Sequence, residues 1–197
     1  MIPPAPVLHV VAGPNGAGKS TLVNDTLTLT GLPWVNADEI AAEIWPDDAE
    51  NHAKEASQLA AQQRDDYVDD GVSFIAETVF SHASKAELVE RAVAAGYEVT
   101  LHVVVVTEDL AVARVAQRVV SGGHSVPENK VRERFGRLWD HVGRAAAAAH
   151  ETIIYDNSSA SVAHRRIAVI RTNPASVTTY APVPPWLPVK LQALLGP

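Results

Sequence analysis

The stretch GPNGAGKST, residues 13–21, follows the apolar run VLHVVA at 7–12 and decides the fold. Its spacing is a glycine, four further residues and then Gly18-Lys19-Ser20, which is the phosphate-loop pattern. Glycine lets successive backbone N–H groups turn toward an anion, and the helix predicted at 19–30 adds its positive end. We therefore expect Lys19 to reach the outer phosphates of a nucleoside triphosphate and the Ser20 hydroxyl to bind Mg²⁺.

The loop also sits in the context that its pattern requires, behind a predicted strand and before a predicted helix. The chain is therefore expected to bind ATP with Mg²⁺. The residues expected to contact ATP in and around the loop are Gly13, Asn15, Gly16, Ala17, Gly18, Lys19, Ser20 and Thr21.

Composition excludes several classes of protein. The 197 residues include no cysteine, so thiol catalysis, disulfides and thiolate metal sites are ruled out. A net charge of −7 argues against a nucleic-acid partner, and no apolar run approaches the length of a membrane span. The first basic residue is Lys19, so the start does not resemble a signal peptide, and we expect a cytoplasmic protein.

Charge is unevenly distributed along the chain. Residues 36–70 carry eleven acids against Lys54 and Arg64, a balance of −9, whereas residues 114–144 have a balance of +4. A basic segment in an acidic protein is either a solvated helix face or the neighbour of an anion. The phosphate loop favours the second interpretation.

Strand-like and helix-like segments alternate along the sequence, which predicts an α/β fold with a mostly parallel sheet covered by helices on both sides. We expect a single domain over 1–197. The predicted strands are 7–12, 33–36, 72–76, 97–106 and 152–155, followed by a hairpin at 165–170 and 176–180. The predicted helices are 19–30, 37–45, 49–70, 84–95, 109–120 and 128–150, with a last short helix ending at Leu195.

Polar side chains follow two of the predicted strands. Asp38 comes after the strand at 33–36, and Glu77 and Thr78 come directly after the strand at 72–76. Ligands bind at the carboxyl ends of parallel strands, and phosphoryl transfer to a hydroxyl uses a carboxylate near the acceptor. Asp38 is thus a candidate base, and Glu77 is a candidate for binding magnesium or the acceptor.

Several arginines of the basic segment are spaced for two helices joined by GlyGlyHis at 122–124. Arg114 and Arg118 are four apart on the first helix, and Arg134 and Arg137 are three apart on the second. The planar guanidinium can bond two phosphate oxygens at once. We therefore predict a helical lid at about 114–144 that closes over the triphosphate.

Taken together, the motifs resemble the zeta-toxin family of P-loop kinases. The resemblance rests on the phosphate loop and on further motifs as far as residue 160. These are NADEI at 36–40, ETVFS at 77–81, RVVSGGHSVP at 118–127, RERF at 132–135 and YDNS at 155–158.

This resemblance implies a three-layer P-loop kinase-like fold and transfer of the ATP γ-phosphate to the 3′-hydroxyl of UDP-N-acetylglucosamine. It implies that Asp38 acts as the base and that Glu77 and Thr78 hold the sugar nucleotide. It further implies that Arg118 and Arg134 bracket the phosphates, with Arg132 and Arg137 as competitors for the second role. Asn157 would lie near the adenine.

Two features separate this chain from the larger toxins of the family. The chain is short, so segments that grip a uridine nucleotide can be missing, and the resemblance by itself does not supply an antitoxin partner. A kinase of another hydroxyl compound, such as a nucleoside, a nucleotide or an antibiotic, stays an alternative. A nucleotide-dependent switch is a further one, although the sequence has no guanine-specific Asn-Lys-x-Asp stretch.

Overall fold

The computed structural model describes residues 4–120 and 126–196. Its centre is a sheet with strand order β2-β3-β1-β4-β5-β6-β7, in which the first five strands are parallel and the last two run antiparallel. The strands are β1 Val7–Ala12, β2 Trp34–Val35, β3 Phe74–Thr78, β4 Glu98–Val105, β5 Glu151–Asp156, β6 Arg165–Thr172 and β7 Ala175–Thr179. The predicted fold class, a mostly parallel sheet with a terminal hairpin, is confirmed.

Helices connect the parallel strands and cover both faces of the sheet. They are α1 Lys19–Leu22, α2 Ala37–Ile44, α3 Ala53–Asp69, α4 Ser84–Ala94, α5 Glu108–Val120, α6 Glu128–Ala148 and α7 Val189–Leu194. The predicted hinge at 122–124 lies outside the described residues. Within the described residues, none of the helices combines the length and the apolarity that a membrane crossing needs.

Strand alternation divides the apolar side chains between two cores. Leu8, Val10 and Ala12 of β1 face a large core that α3, α4, α6 and α7 cover. Val11 faces the opposite core, which α1 and α5 cover together with the first turns of α6. Because β1 is buried on both faces, the phosphate loop starts from a rigid base.

The strand register brings the predicted polar residues together at one edge. Ala76 of β3 pairs with Val35 at the end of β2, and Glu77 pairs with Val11 near the end of β1. Asn36, the residue after Val35, and the loop after Ala12 therefore lie on either side of Glu77. This is the edge at which ligands bind in parallel sheets.

Some element boundaries differ from the predicted ones. Strand β3 continues through Glu77 and Thr78, so both residues are part of the strand rather than the loop behind it. Helix α3 begins at Ala53 instead of residue 49. The helix after the phosphate loop changes to a wider π turn at Val23–Leu27 and to a 3₁₀ turn at Thr28–Thr30.

A chain of hydrogen bonds crosses three strands on the face that α1 and α5 cover. His9 Nδ1 lies 3.1 Å from His102 Nε2, and His102 Nδ1 lies 3.2 Å from the Tyr155 hydroxyl. His102 is 5% exposed, and burial lowers its pKa from 6.5 to about 3, with a smaller contribution from His9. Both histidines therefore stay neutral while the protein is folded at neutral pH.

This arrangement predicts a pH-dependent stability. The unfolded chain takes up a proton at His102 below its ordinary pKa of 6.5, whereas the folded chain resists until about pH 3. Stability should fall by about 1.4 kcal/mol for each pH unit as the pH drops through that window. Urea unfolding at several pH values gives the slope of the unfolding free energy against pH. This slope should be shallower for His102→Phe than for the parent chain. The exposed-residue variant His82→Gln should keep the parent slope, and equal slopes in all three proteins would contradict the assignment.

Candidate active site

Two glycines of the phosphate loop occupy positions that other residues cannot. Gly16 and Gly18 have φ angles of 75° and 88°, in the left-handed region. A Cβ atom at Gly16 would lie 2.6 Å from the carbonyl oxygen of Ala111 on α5, and one at Gly18 would lie 2.4 Å from Asn157 Nδ2. The loop thus needs glycine both for its backbone angles and for its close contact with α5 and Asn157.

Lys19 is buried at the first position of α1, and its Nζ donates to the carbonyl oxygen of Pro14 at 3.0 Å. Burial lowers the pKa of the Lys19 ammonium, and the nearby carboxylates of Glu77 and Asp38 counteract part of that shift. Lys19 therefore lies between the loop and the carboxylates of Glu77 and Asp38.

Glu77 is the centre of the polar cluster. Its Oε1 accepts a hydrogen bond from Ser20 Oγ at 2.8 Å, and its Oε2 accepts one from Asn36 Nδ2 at 2.8 Å. Burial raises the pKa of the Glu77 carboxyl, whereas Lys19 and the hydrogen bonds from Ser20 and Asn36 lower it in part. Glu77 thus links the predicted magnesium ligand to the end of β2.

Asp38 lies in the first turn of α2, where Asn36 is the N-cap residue. Asn36 Oδ1 accepts a hydrogen bond from the Asp38 backbone N–H at 2.8 Å. The Asp38 side chain is exposed to the cavity and affects the pKa values of both Lys19 and Glu77. Asn36 therefore fixes the position of both acidic residues of the site, one through its amide nitrogen and the other through its amide oxygen.

Two residues near the end of the sheet hold the phosphate loop from behind. Asn157 Nδ2 donates to the carbonyl oxygen of Ala17 at 2.8 Å, and His164 Nε2 lies 2.9 Å from that of Gly18. Asn157 Oδ1 also accepts from the His164 backbone N–H at 3.1 Å. Both ends of the Asn157 side chain are therefore bonded to protein backbone, which supports a role in positioning the loop rather than in contacting adenine.

The arginines of α5 and α6 differ in what they contact. Arg118 and Arg134 line the cavity, as does Arg114, whose Nη1 is 3.5 Å from the carbonyl oxygen of Gly16. Arg132 instead bonds to carboxylates at the start of α5 and on its own helix, and Arg137 pairs with Glu133. Of the three α6 arginines that the sequence could not separate, Arg134 is thus the one that lines the cavity.

A cavity of about 810 Å³ connects these groups. The predicted site residues that line it are Asn15, Gly16, Gly18, Lys19, Ser20, Thr21, Asp38, Glu77, Thr78, Arg118 and Arg134. Gly13, Ala17 and Asn157 do not line it: the first two are buried within the loop, and Asn157 is buried behind it.

The cavity also contains side chains that the sequence did not indicate. Arg64 of α3 and Lys85 of α4 line it, together with Ser57 and Gln58 of α3. Neither cation belongs to a recognisable motif, and Arg64 falls in the most acidic part of the chain. Helical spacing could have grouped Ser57 with Arg64, but only the tertiary structure shows that this face points into the cavity.

The fold and the loop together define a P-loop kinase-like protein. The family model of the zeta toxins matches residues 33–167, which is more than half of the chain. The chain therefore belongs to the zeta-toxin family. No curated protein sequence matches it at a significant level.

Solved structures show the same fold at low sequence identity. The structure of the PezAT chromosomal toxin–antitoxin system of Streptococcus pneumoniae matches with a TM-score of 0.57 at 15% identity, covering 77% of this chain and 68% of that one. The AvrRxo1-ORF1:AvrRxo1-ORF2 structure with sulphate ions matches with a TM-score of 0.69 at 15% identity, covering 96% of this chain and 63% of that one. The same complex with ATP matches with a TM-score of 0.59 at 14% identity, covering 87% and 60%.

Proposed function

We propose that this protein transfers the γ-phosphate of ATP to a hydroxyl group of a sugar nucleotide such as UDP-N-acetylglucosamine. The observation that carries the proposal is the continuous cavity that joins the phosphate loop to Asp38, Glu77 and Thr78 at the strand ends. Family membership and the likeness to a complex solved with ATP support the nucleotide half of the proposal.

On the nucleotide side, the loop N–H groups and the Lys19 ammonium would hold the phosphates. Arg118 and Arg134 approach the same cavity from α5 and α6 and would bond the γ-phosphate as its bond to the leaving oxygen breaks. The segment 114–144 would act as the lid that excludes water during transfer.

The donor atoms at the loop fit Mg²⁺. Mg²⁺ is bound through oxygen atoms, commonly one or two carboxylates together with phosphates and water, and Ser20 Oγ lies beside the Glu77 carboxylate. The described residues contain no group of three or more acids and histidines that would form a metal site without phosphate. Ser20 would hold the ion with Glu77 behind it, and the ion would neutralise charge on the phosphates.

On the acceptor side, Asp38 would take the hydroxyl proton as the new oxygen–phosphorus bond forms and ADP leaves. Thr78 lines the same cavity and would orient the acceptor. The resemblance gave Glu77 the same role, but both of its oxygens already accept hydrogen bonds from Ser20 and Asn36. We therefore assign Glu77 to the metal side of the site.

The lid arginines give a test of this arrangement. Arg118→Ala and Arg134→Ala should each lower kcat by about a hundredfold, because each removes a cation that stabilises the transition-state charge. Acceptor KM should change much less. The matched variant Arg137→Ala removes a cation of the same helix that lies outside the cavity, and it should keep normal turnover. Near-normal kcat in both cavity variants would contradict the lid.

The reaction itself can be tested without guessing the acceptor. The protein, ATP and a pool of small metabolites are incubated together, and mass spectrometry then searches for products that have gained the mass of one phosphate. UDP-N-acetylglucosamine is tested separately as the sole acceptor. A phosphorylated product of another compound would favour the alternative small-molecule kinase, and ATP binding without any product would favour a nucleotide-dependent switch.

A protein partner is part of the proposal. The PezAT structure comes from a toxin–antitoxin system, and its fold resembles that of this chain. Together with membership of the zeta-toxin family, this supports an antitoxin-type partner. Co-purification of the tagged chain with proteins encoded next to it would test this part of the proposal independently of the chemistry.

A further inference from the structure

One side of the cavity contains a buried arginine that forms no ion pair with any of the described residues. Arg64 is 4% exposed, and it lines the cavity from the face of α3 that also carries Ser57 and Ala61. Among the described residues, no carboxylate forms an ion pair with Arg64. The charge of the neighbouring Asp65 raises the pKa of Arg64, but burial lowers it by more, and the Asp65 carboxylate pairs with Arg91 at 3.0 Å.

A second cation lies close to Arg64. Lys85 occupies the first turn of α4, where the positive end of the helix makes a cation unfavourable. Burial, and after it the charge of Arg64, lower the pKa of Lys85 to about 8. Lys85 is therefore still mostly protonated at neutral pH, in surroundings that disfavour its charge.

The two residues form a cationic group apart from the phosphate loop. The charges that act on Lys19 are those of Glu77, Asp38 and Arg118, whereas those that act on Lys85 are Arg64 and Asp65. The small side chains of Ser57 and Ala61, one helical turn apart on α3, leave room in the cavity beside Arg64.

Arg64 is buried and Lys85 is half-buried, and like charges placed together in such surroundings are costly unless a negative group compensates them. We propose that Arg64 and Lys85 bind an anionic group, a phosphate or a carboxylate, of the molecule whose hydroxyl is phosphorylated. This inference rests on the proposed function, assigns the negative group of its acceptor to two named residues, and excludes uncharged acceptors such as nucleosides. It gives the acceptor two fixed points, with its hydroxyl at Asp38 and its negative group between α3 and α4.

The binding test uses the full chain saturated with Mg²⁺ and a non-hydrolysable ATP analogue, so that the phosphate loop is blocked. Inorganic pyrophosphate and malonate are then titrated separately by calorimetry at pH 7, which distinguishes a phosphate source from a carboxylate source. At least one of them should bind, and Arg64→Gln and Lys85→Gln should each raise its Kd by about tenfold or more. Arg171→Gln, which removes an exposed cation of β6 paired with Glu151, should leave the Kd unchanged. The subsite is wrong if neither anion binds the parent chain or if the cavity variants bind it equally well.

Thermal unfolding supplies a readout that does not depend on binding. Without an anion, Arg64→Met should unfold at a temperature equal to or above that of the parent, because a buried charge that forms no ion pair has been replaced by an apolar side chain of similar length. The anion that binds should raise the unfolding temperature of the parent but not of the variant. A large loss of stability in Arg64→Met would show that Arg64 has a structural partner and would overturn the proposal.

The two proposals can fail separately. If the analogue binds and ATP is turned over, but the Kd of neither anion depends on Arg64 or Lys85, only the proposed subsite is wrong. If the analogue does not bind, the titrations are repeated on Lys19→Ala, in which the phosphate loop lacks its lysine. Anion binding that still depends on Arg64 would then support the subsite and contradict the proposed kinase activity.

Discussion

Replacing Lys19 by alanine is expected to abolish phosphoryl transfer, with a loss of about a thousandfold or more in kcat, while the fold stays intact. The Lys19 side chain bonds within its own loop and lies near Glu77 and Asp38, so it contributes to the site rather than to the apolar core. Turnover of ATP, equilibrium binding of ATP and circular dichroism of the variant would separate these effects.

The matched control is Lys54→Ala, which removes a lysine from the exposed surface of α3 outside the cavity. This variant should retain both turnover and ATP binding. Normal turnover in Lys19→Ala would contradict the assignment of residues 13–21 as a phosphate-binding loop. Loss of the circular dichroism signal would mean instead that Lys19 stabilises the fold.

The second large effect is expected for Asp38→Asn, which should lower transfer by about a hundredfold to ten-thousandfold because it removes the base. The backbone N–H of residue 38 can still donate to Asn36, so the first turn of α2 should be unaffected. ATP should bind with its normal affinity. Glu39→Gln is the matched control, since it neutralises the next acid, which does not line the cavity.

Titration of ATP and of acceptor against each variant separates the possible roles of Asp38. If Asp38→Asn transfers phosphate normally, the base lies elsewhere. If the variant also loses ATP binding, Asp38 belongs with the groups that hold the metal, and Glu77 becomes the next candidate for the base.

The parts of the fold that local patterns determine could be predicted from the sequence. The apolar run at 7–12 and the glycine spacing behind it gave β1 and the phosphate loop with their observed boundaries. The alternation of strands and helices gave a mostly parallel sheet, and the antiparallel pair β6 and β7 was predicted as a hairpin. These features depend on neighbouring residues and on general rules of connection.

The side chains that a site gathers from distant segments were harder to predict. Spacing along the sequence does not separate Arg132, Arg134 and Arg137 of α6. Only their contacts in the folded chain distinguish them. Arg64 lies in a segment with a net charge of −9, yet it is a cation that lines the cavity. Net charge along the sequence therefore describes the outer surface of α3 but not its inner face.

The bonds from Asn157 and His164 to the carbonyl oxygens of Ala17 and Gly18 affect how tightly the loop can bind a nucleotide. A glycine-rich loop anchored only at its two ends would have to give up backbone freedom at the moment of binding. Here the anchoring residues fix the middle of the loop as the chain folds, so that conformational entropy is lost before any nucleotide arrives. Nucleotide affinity in this protein therefore depends on the integrity of a part of the chain that is distant in sequence, the connection between β5 and β6.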